Sequence, residues 1–133
     1  MAQVSDRQVR KQVRRAVEAA SNKKAADSVL LDVRKLAGFT DYFYICQGSN
    51  TRQVQAIADA IDMALDKEFG LQAGHREGYE NAEWIVLDYV DFVIHIFTPA
   101  SRSFYGLERL WSKAPKVDLK LPEPASEANR ELA

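Results

Sequence analysis

Residues 83–97, EWIVLDYVDFVIHIF, leave the chain few ways to fold. Two β-rich runs, Glu83 to Asp88 and Phe92 to Phe97, are each of ordinary strand length. Only Tyr89-Val90-Asp91 separates them, so the pair predicts a β-hairpin at the centre of a sheet. Side chains alternate along a strand. Trp84, Val86 and Asp88 therefore share one face, and Ile85, Leu87 and Tyr89 the other. In the second run His95 falls with Val93 and Phe97, opposite Phe92, Ile94 and Ile96. Extended back to Glu77, the stretch carries the acids Glu77, Glu80, Glu83, Asp88 and Asp91, with no Lys or Arg, and interleaves Tyr79, Trp84 and Tyr89. A hydrophobic hairpin edged by acids and aromatics suits the docking of a basic partner.

The flanking segments supply the layers such a hairpin needs. Residues 5–21 read as a helix opened by a capping box, Ser5 with Gln8, and carrying Val9, Val13, Ala16, Val17 and Ala20 on one face. This stripe is narrow and small, which suits the edge of a core. Ala25 to Val33 and Tyr42 to Gln47 read as strands, joined by a loop that turns at Gly38. Thr51 to Phe69 is the clearest amphipathic helix, with Val54, Ile57, Ile61 and Leu65 at spacings of three and four. Asn50 with Gln53 offers its capping box and Gly70 its left-handed stop. A short strand or coil, Leu71 to Arg76, leads into the hairpin. After it, Thr98-Pro99 starts one last helical segment through Trp111, because proline suits a first helical position. The order predicts an α/β fold, a mixed β-sheet with helices packed on it. Residues 1–112 form one domain on this reading. Residues 113–133, rich in proline and charge, form a flexible C-terminal tail.

Charge is unevenly spread. The formal net charge is −1, but residues 1–24 sum to +5, residues 25–112 to −6 and residues 113–133 to zero. An acidic body disfavours phosphate and favours a basic protein surface, while the basic N-terminal arm could touch RNA. No apolar run approaches membrane-spanning length, and the N-terminus MAQVSDRQVRKQVRR has no apolar stretch of the kind a secretory signal requires. The lone Cys46 cannot form an internal disulfide, so a reducing, cytoplasmic setting is expected.

Catalytic signals are weak. His95 has no nearby partner in sequence to orient it as a base, so it reads as structural or partner-facing. Cys46 lies in an apolar strand, where a thiol is inert. His75 has no metal-ligand mate. Asp88 and Asp91 could hold Mg²⁺ but read better as turn or docking acids. Gly48-Ser49 lacks the glycines and lysine of a phosphate loop, so capping is the better reading. Trp84, set among acids, reads equally as core and as an interface anchor.

Several ordered motifs together resemble the ribosomal silencing factor family, also called RsfS or Iojap. They are Asp41-Tyr42-Phe43, Gly48-Ser49, Ala56-Ile57-Ala58-Asp59, Glu77-Gly78, Trp84-Ile85-Val86-Leu87-Asp88, Asp91, His95-Ile96-Phe97 and Arg102-x-Phe104-Tyr105-x-Leu107-Glu108-x-Leu110-Trp111. The resemblance spans residues 5–112. It implies a nucleotidyltransferase-like fold without enzymatic activity or cofactor: the Asp-x-Asp metal pair expected after the Gly-Ser turn is absent, and Asp59 and Asp62 are wrongly spaced to replace it. It also implies binding to the large ribosomal subunit through ribosomal protein fourteen. That contact blocks association with the small subunit and represses translation under nutrient limitation. Trp84 and Glu77-Gly78 are carried over as contact positions, and Asp88, Tyr89, Asp91 and Tyr105 are added from their chemistry. The alternatives are a nucleotidyltransferase-type enzyme using Mg²⁺ and nucleotide through Asp88, Asp91 or Asp59, and a homodimeric scaffold.

Overall fold

A computed structural model describes residues 5–119. The elements are α1 (Asp6–Asn22), β1 (Ala26–Asp32), β2 (Tyr42–Gln47), α2 (Thr51–Phe69), β3 (His75–Glu77), β4 (Trp84–Asp88), β5 (Phe92–Phe97), α3 (Pro99–Tyr105), α4 (Leu107–Leu110) and β6 (Lys116–Val117). The strands form one sheet in the order β3-β4-β5-β2-β1-β6. β2 and β5 pair in parallel, and every other neighbour is antiparallel. The expected mixed sheet with helices packed on it is therefore the architecture observed, with the hairpin strands β4 and β5 inside the sheet.

Both long helices lie on one face of the sheet. Val54, Ile57, Ile61 and Leu65 of α2 are fully buried in one core with Ile85, Leu87, Ile94 and Ile96. Each such side chain contributes about 1.5–3 kcal/mol relative to leaving it in water. Val9, Val13, Ala16 and Ala20 of α1 join the same core. Ser5 accepts the Gln8 N–H at 3.1 Å, and Asn50 accepts the Gln53 N–H at 2.8 Å, so the N-cap half of each predicted capping box forms. The Gln53 side chain does something else, however. Its Oε1 accepts from the Ser49 backbone N–H and hydroxyl, and its Nε2 donates to the carbonyls of Lys23 and Lys24. This ties the start of α2 to the end of α1. Gly70 ends α2 at φ +63°.

Two expectations change. The single last helix is divided at Gly106, whose φ of +57° caps α3 before α4 begins. The tail expected to be flexible from Lys113 starts as part of the fold. Ala114 is buried, Lys116–Val117 pairs with Leu31 and Leu30 of β1, and Leu119 packs against the helix-side core. Pairing to an edge strand anchors a segment whose own composition is too polar to signal it. The remainder of that tail lies outside the described residues.

Candidate docking face

The opposite face of the sheet carries the aromatics. Residues paired across strands point to the same side, so register defines three rows on this face. One runs Trp84, Phe97, Gln47; a second runs Glu77, Val86, His95, Ile45; a third runs His75, Asp88, Val93, Phe43. Leu107, Trp111 and Ala37 pack over the centre, where Phe43, Ile45, Val93, His95 and Phe97 are all buried, so this face presents its apolar groups to solvent only at the edge.

Trp84 anchors this surface. Its indole stacks on Phe97 with ring centres 5.0 Å apart, and Tyr105 of α3 stands 4.8 Å away on a tilted ring. Its Nε1–H donates to Nδ1 of His95 at 3.2 Å. The His95 ring meets the Phe43 ring edge-on at 5.0 Å, and Trp111 meets Phe43 likewise at 5.0 Å. Phe39 extends the series beside Trp111. At the rim Phe39, Phe104 and Leu110 are 64%, 80% and 77% exposed. Phe39 stands beside Trp111, and Phe104 beside Tyr105. The α3–α4 elbow that presents Tyr105 is pinned by Arg102. Its guanidinium donates twice to Glu108, each bond 2.9 Å, and once to Gln47 at 3.1 Å. Those bonds hold the Glu108 carboxyl below the usual carboxylate range.

Acids rim the face. Glu77 is exposed on the edge strand, and its carboxylate pairs with His75 at 2.8 Å. Asp88 closes the hairpin end by accepting the Val90 N–H at 2.8 Å, which supports the positive φ of +77° at Val90. Asp91 sits beside Asp41, whose backbone N–H donates to the Asp91 carbonyl at 3.0 Å. Burial, and then the Asp91 carboxylate, push the Asp41 carboxyl above its ordinary range.

The predicted contact residues thus divide. Trp84 and Tyr105 touch each other, and Glu77 and Asp88 stand on the same face, while Asp91 lies at the hairpin end. Gly78 has a backbone role. At φ +80°, a Cβ there would lie 2.0 Å from the Trp84 carbonyl oxygen, so only glycine lets this loop run against β4. Tyr89 leaves the contact set. It is 3% exposed on the helix side, stacks on Phe92, and its hydroxyl donates to Asp62. An aromatic flanked by acids resembled surface, but Asp62, the acid that matters to it, arrives from α2. Sequence reasoning missed Phe39, Phe43, Phe104 and Trp111 as parts of this face. For Phe43 the signal was its period-two relation to Ile45.

The acids offered for a metal do not converge. Asp59 is on α2 and accepts the Tyr79 hydroxyl at 3.0 Å, on the helix side, whereas Asp88 belongs to a row on the other face. Among the described residues no group of three or more His, Cys, Asp or Glu is placed to hold a metal ion. Cys46 is buried, and its thiol is pushed up to about 12 by that burial. No helix among the described residues is long and apolar enough to cross a membrane.

His95 makes acid stability a direct check on this packing. It is 7% exposed, and burial lowers its pKa from 6.5 to about 4. Between these values the unfolded chain binds a proton that the native chain does not, so stability falls as the pH drops. The contribution is present in full above pH 6.5 and lost toward pH 4, up to about 3 kcal/mol. Denaturant titrations between pH 7 and 4.5 should show this slope in wild type and its loss in His95→Asn. An equal slope in both would place the titrating group elsewhere.

A sheet with both long helices on one face and an acid-rimmed aromatic surface on the other has the form of a recognition module. The chain belongs to the ribosomal silencing factor family: residues 6–133 match the family described as "Ribosomal silencing factor during starvation". It is 42% identical over 104 residues to the ribosomal silencing factor RsfS of Bacillus subtilis, covering 78% of this chain and 87% of that one. RsfS of Halalkalibacterium halodurans is 39% identical over 105 residues, covering 79% and 89%. The crystal structure of a Chromobacterium violaceum protein superposes with a TM-score of 0.75 at 34% identity, covering 78% of this chain and 86% of that one.

Proposed function

We propose that this protein represses translation by binding the large ribosomal subunit through ribosomal protein fourteen, where it sterically prevents the small subunit from joining. No bond is made or broken, and the setting is the cytoplasm under nutrient limitation. The observation that carries this reading is the Trp84 platform. Its indole is half-buried between Phe97 and Tyr105, with Tyr105 and Phe104 exposed beside it, Glu77 and Asp88 on the same face of the sheet and Asp91 at the hairpin end. A surface of this kind suits a basic protein partner. The −6 charge of residues 25–112 steers the encounter, and the aromatic centre supplies affinity once water is expelled. The base-rich outer side of α1 adds a second contact, to ribosomal RNA. A second copy of this chain is the competing occupant of the same apolar face.

Steering by exposed charge makes a prediction about salt. Affinity for isolated large subunits, followed by fluorescence titration, should fall several-fold, on the order of one decade, between about 0.1 M and 0.5 M monovalent salt. A flat response would contradict acidic docking and leave an interface held by the aromatic patch alone.

A further inference from the structure

We propose that His95 is a positioning residue for the docking face: by accepting the Trp84 indole N–H at its Nδ1, it selects the edge of the indole that meets the partner. The inference rests on the docking reading above. Phe97 and Tyr105 flank Trp84 with their rings. Such contacts restrain the plane of an indole but tolerate a half-turn about its Cβ–Cγ bond, which keeps the plane and exchanges the two edges. The bond from Nε1 to His95 Nδ1, at 3.2 Å, removes that freedom, because indole has one donor and no acceptor.

The state of the imidazole supports this role. With Nδ1 accepting, the neutral ring carries its proton on Nε2. That atom is buried and has no hydrogen-bond partner among the described residues. The ring lies 5.0 Å from Phe43 and 6.4 Å from Phe97 in an aromatic setting. A phenylalanine would fill such a site without stranding a polar atom. Histidine is the worse packing choice, and what it adds is the acceptor under Trp84. The lowered basicity of the buried ring keeps Nδ1 unprotonated and able to accept throughout the neutral range.

Three substitutions separate this role from packing. The amide of His95→Asn reaches the position of Nδ1, that of His95→Gln reaches the position of Nε2, and His95→Phe keeps a ring without an acceptor. The readouts are the Trp84 indole N–H resonance, distinguished from that of Trp111 by Trp111→Phe, and the affinity for isolated large subunits. In His95→Asn the resonance should stay downfield and protected from exchange, with affinity near wild type. In His95→Gln and His95→Phe it should move upfield and exchange faster, and affinity should fall about tenfold. Circular dichroism establishes that each variant is folded. Should His95→Phe not fold, the contrast between the asparagine and glutamine variants carries the test. Folded glutamine or phenylalanine variants that bind as wild type would overturn the proposal, as would equal losses in all three. If wild type itself fails to bind, the docking reading falls and the positioning role with it. The resonance would still report the hydrogen bond, so the two failures are distinguishable.

Discussion

Trp84→Ala should weaken binding to the large ribosomal subunit by about 2 kcal/mol or more, roughly thirtyfold. The indole is half-buried at the edge of the aromatic face, and it contacts Phe97, Tyr105 and His95 at once. Truncation removes its own area and also unseats Tyr105, whose other ring contact is its chain neighbour Phe104. Tryptophan at such a position is the kind of residue that dominates an interface, because it buries a large area with little conformational freedom to lose. Titration of the folded variant against isolated large subunits measures the effect. A folded Trp84→Ala protein with undiminished affinity would remove Trp84 from the interface.

Gly78→Ala should cost stability on the order of 2–4 kcal/mol. Two penalties coincide there. The backbone is at φ +80°, where an L side chain is strained, and the added Cβ would lie 2.0 Å from the Trp84 carbonyl oxygen. The colliding atoms are backbone, with no flexible side chain to yield, so β4 or the loop must move. Gly38→Ala is the internal control. Gly38 has φ +76°, but a methyl group added there would meet no atom within 4 Å, so it should lose only about 1 kcal/mol. Denaturant unfolding of the two variants separates strain from collision. Equal losses would mean that the approach to Trp84 carries no cost, and Gly78 would then be an ordinary turn glycine.

The parts of this fold legible in the sequence are those in which a local pattern and the tertiary environment agree. Period two in β4 and β5 correctly separated Trp84 and His95 from Ile85 and Ile94, because each face meets a different layer. The spacing of Val54, Ile57, Ile61 and Leu65 identified α2 because that helix buries one continuous stripe. What was hidden depends on partners distant in sequence. Val117 is a single apolar residue between charged neighbours, and only its pairing with Leu30 makes it part of a sheet. Tyr89 is placed by Asp62, 27 residues earlier on another element. Gln53 satisfied the capping pattern, yet its side chain bonds to Lys23 and Lys24 because α1 happens to end beside it. At the proposed docking face the alternation located Trp84 and side-chain chemistry named Tyr105, whereas Trp111 reaches it only through the turn at Gly106 and the Arg102–Glu108 fork. That elbow is a three-dimensional fact that no single segment announces.

Steric silencing is tested most directly by order of addition. Purified protein is mixed with isolated large subunits, small subunits are added, and the mixture is sedimented through a gradient, with Trp84→Ala run in parallel. Wild type should travel with the free large subunits, and the joined-ribosome peak should fall as its concentration rises, while Trp84→Ala leaves joining largely intact. Wild-type protein that stays at the top of the gradient, or that rides on fully joined ribosomes, would contradict a mechanism in which this face blocks the meeting of the two subunits.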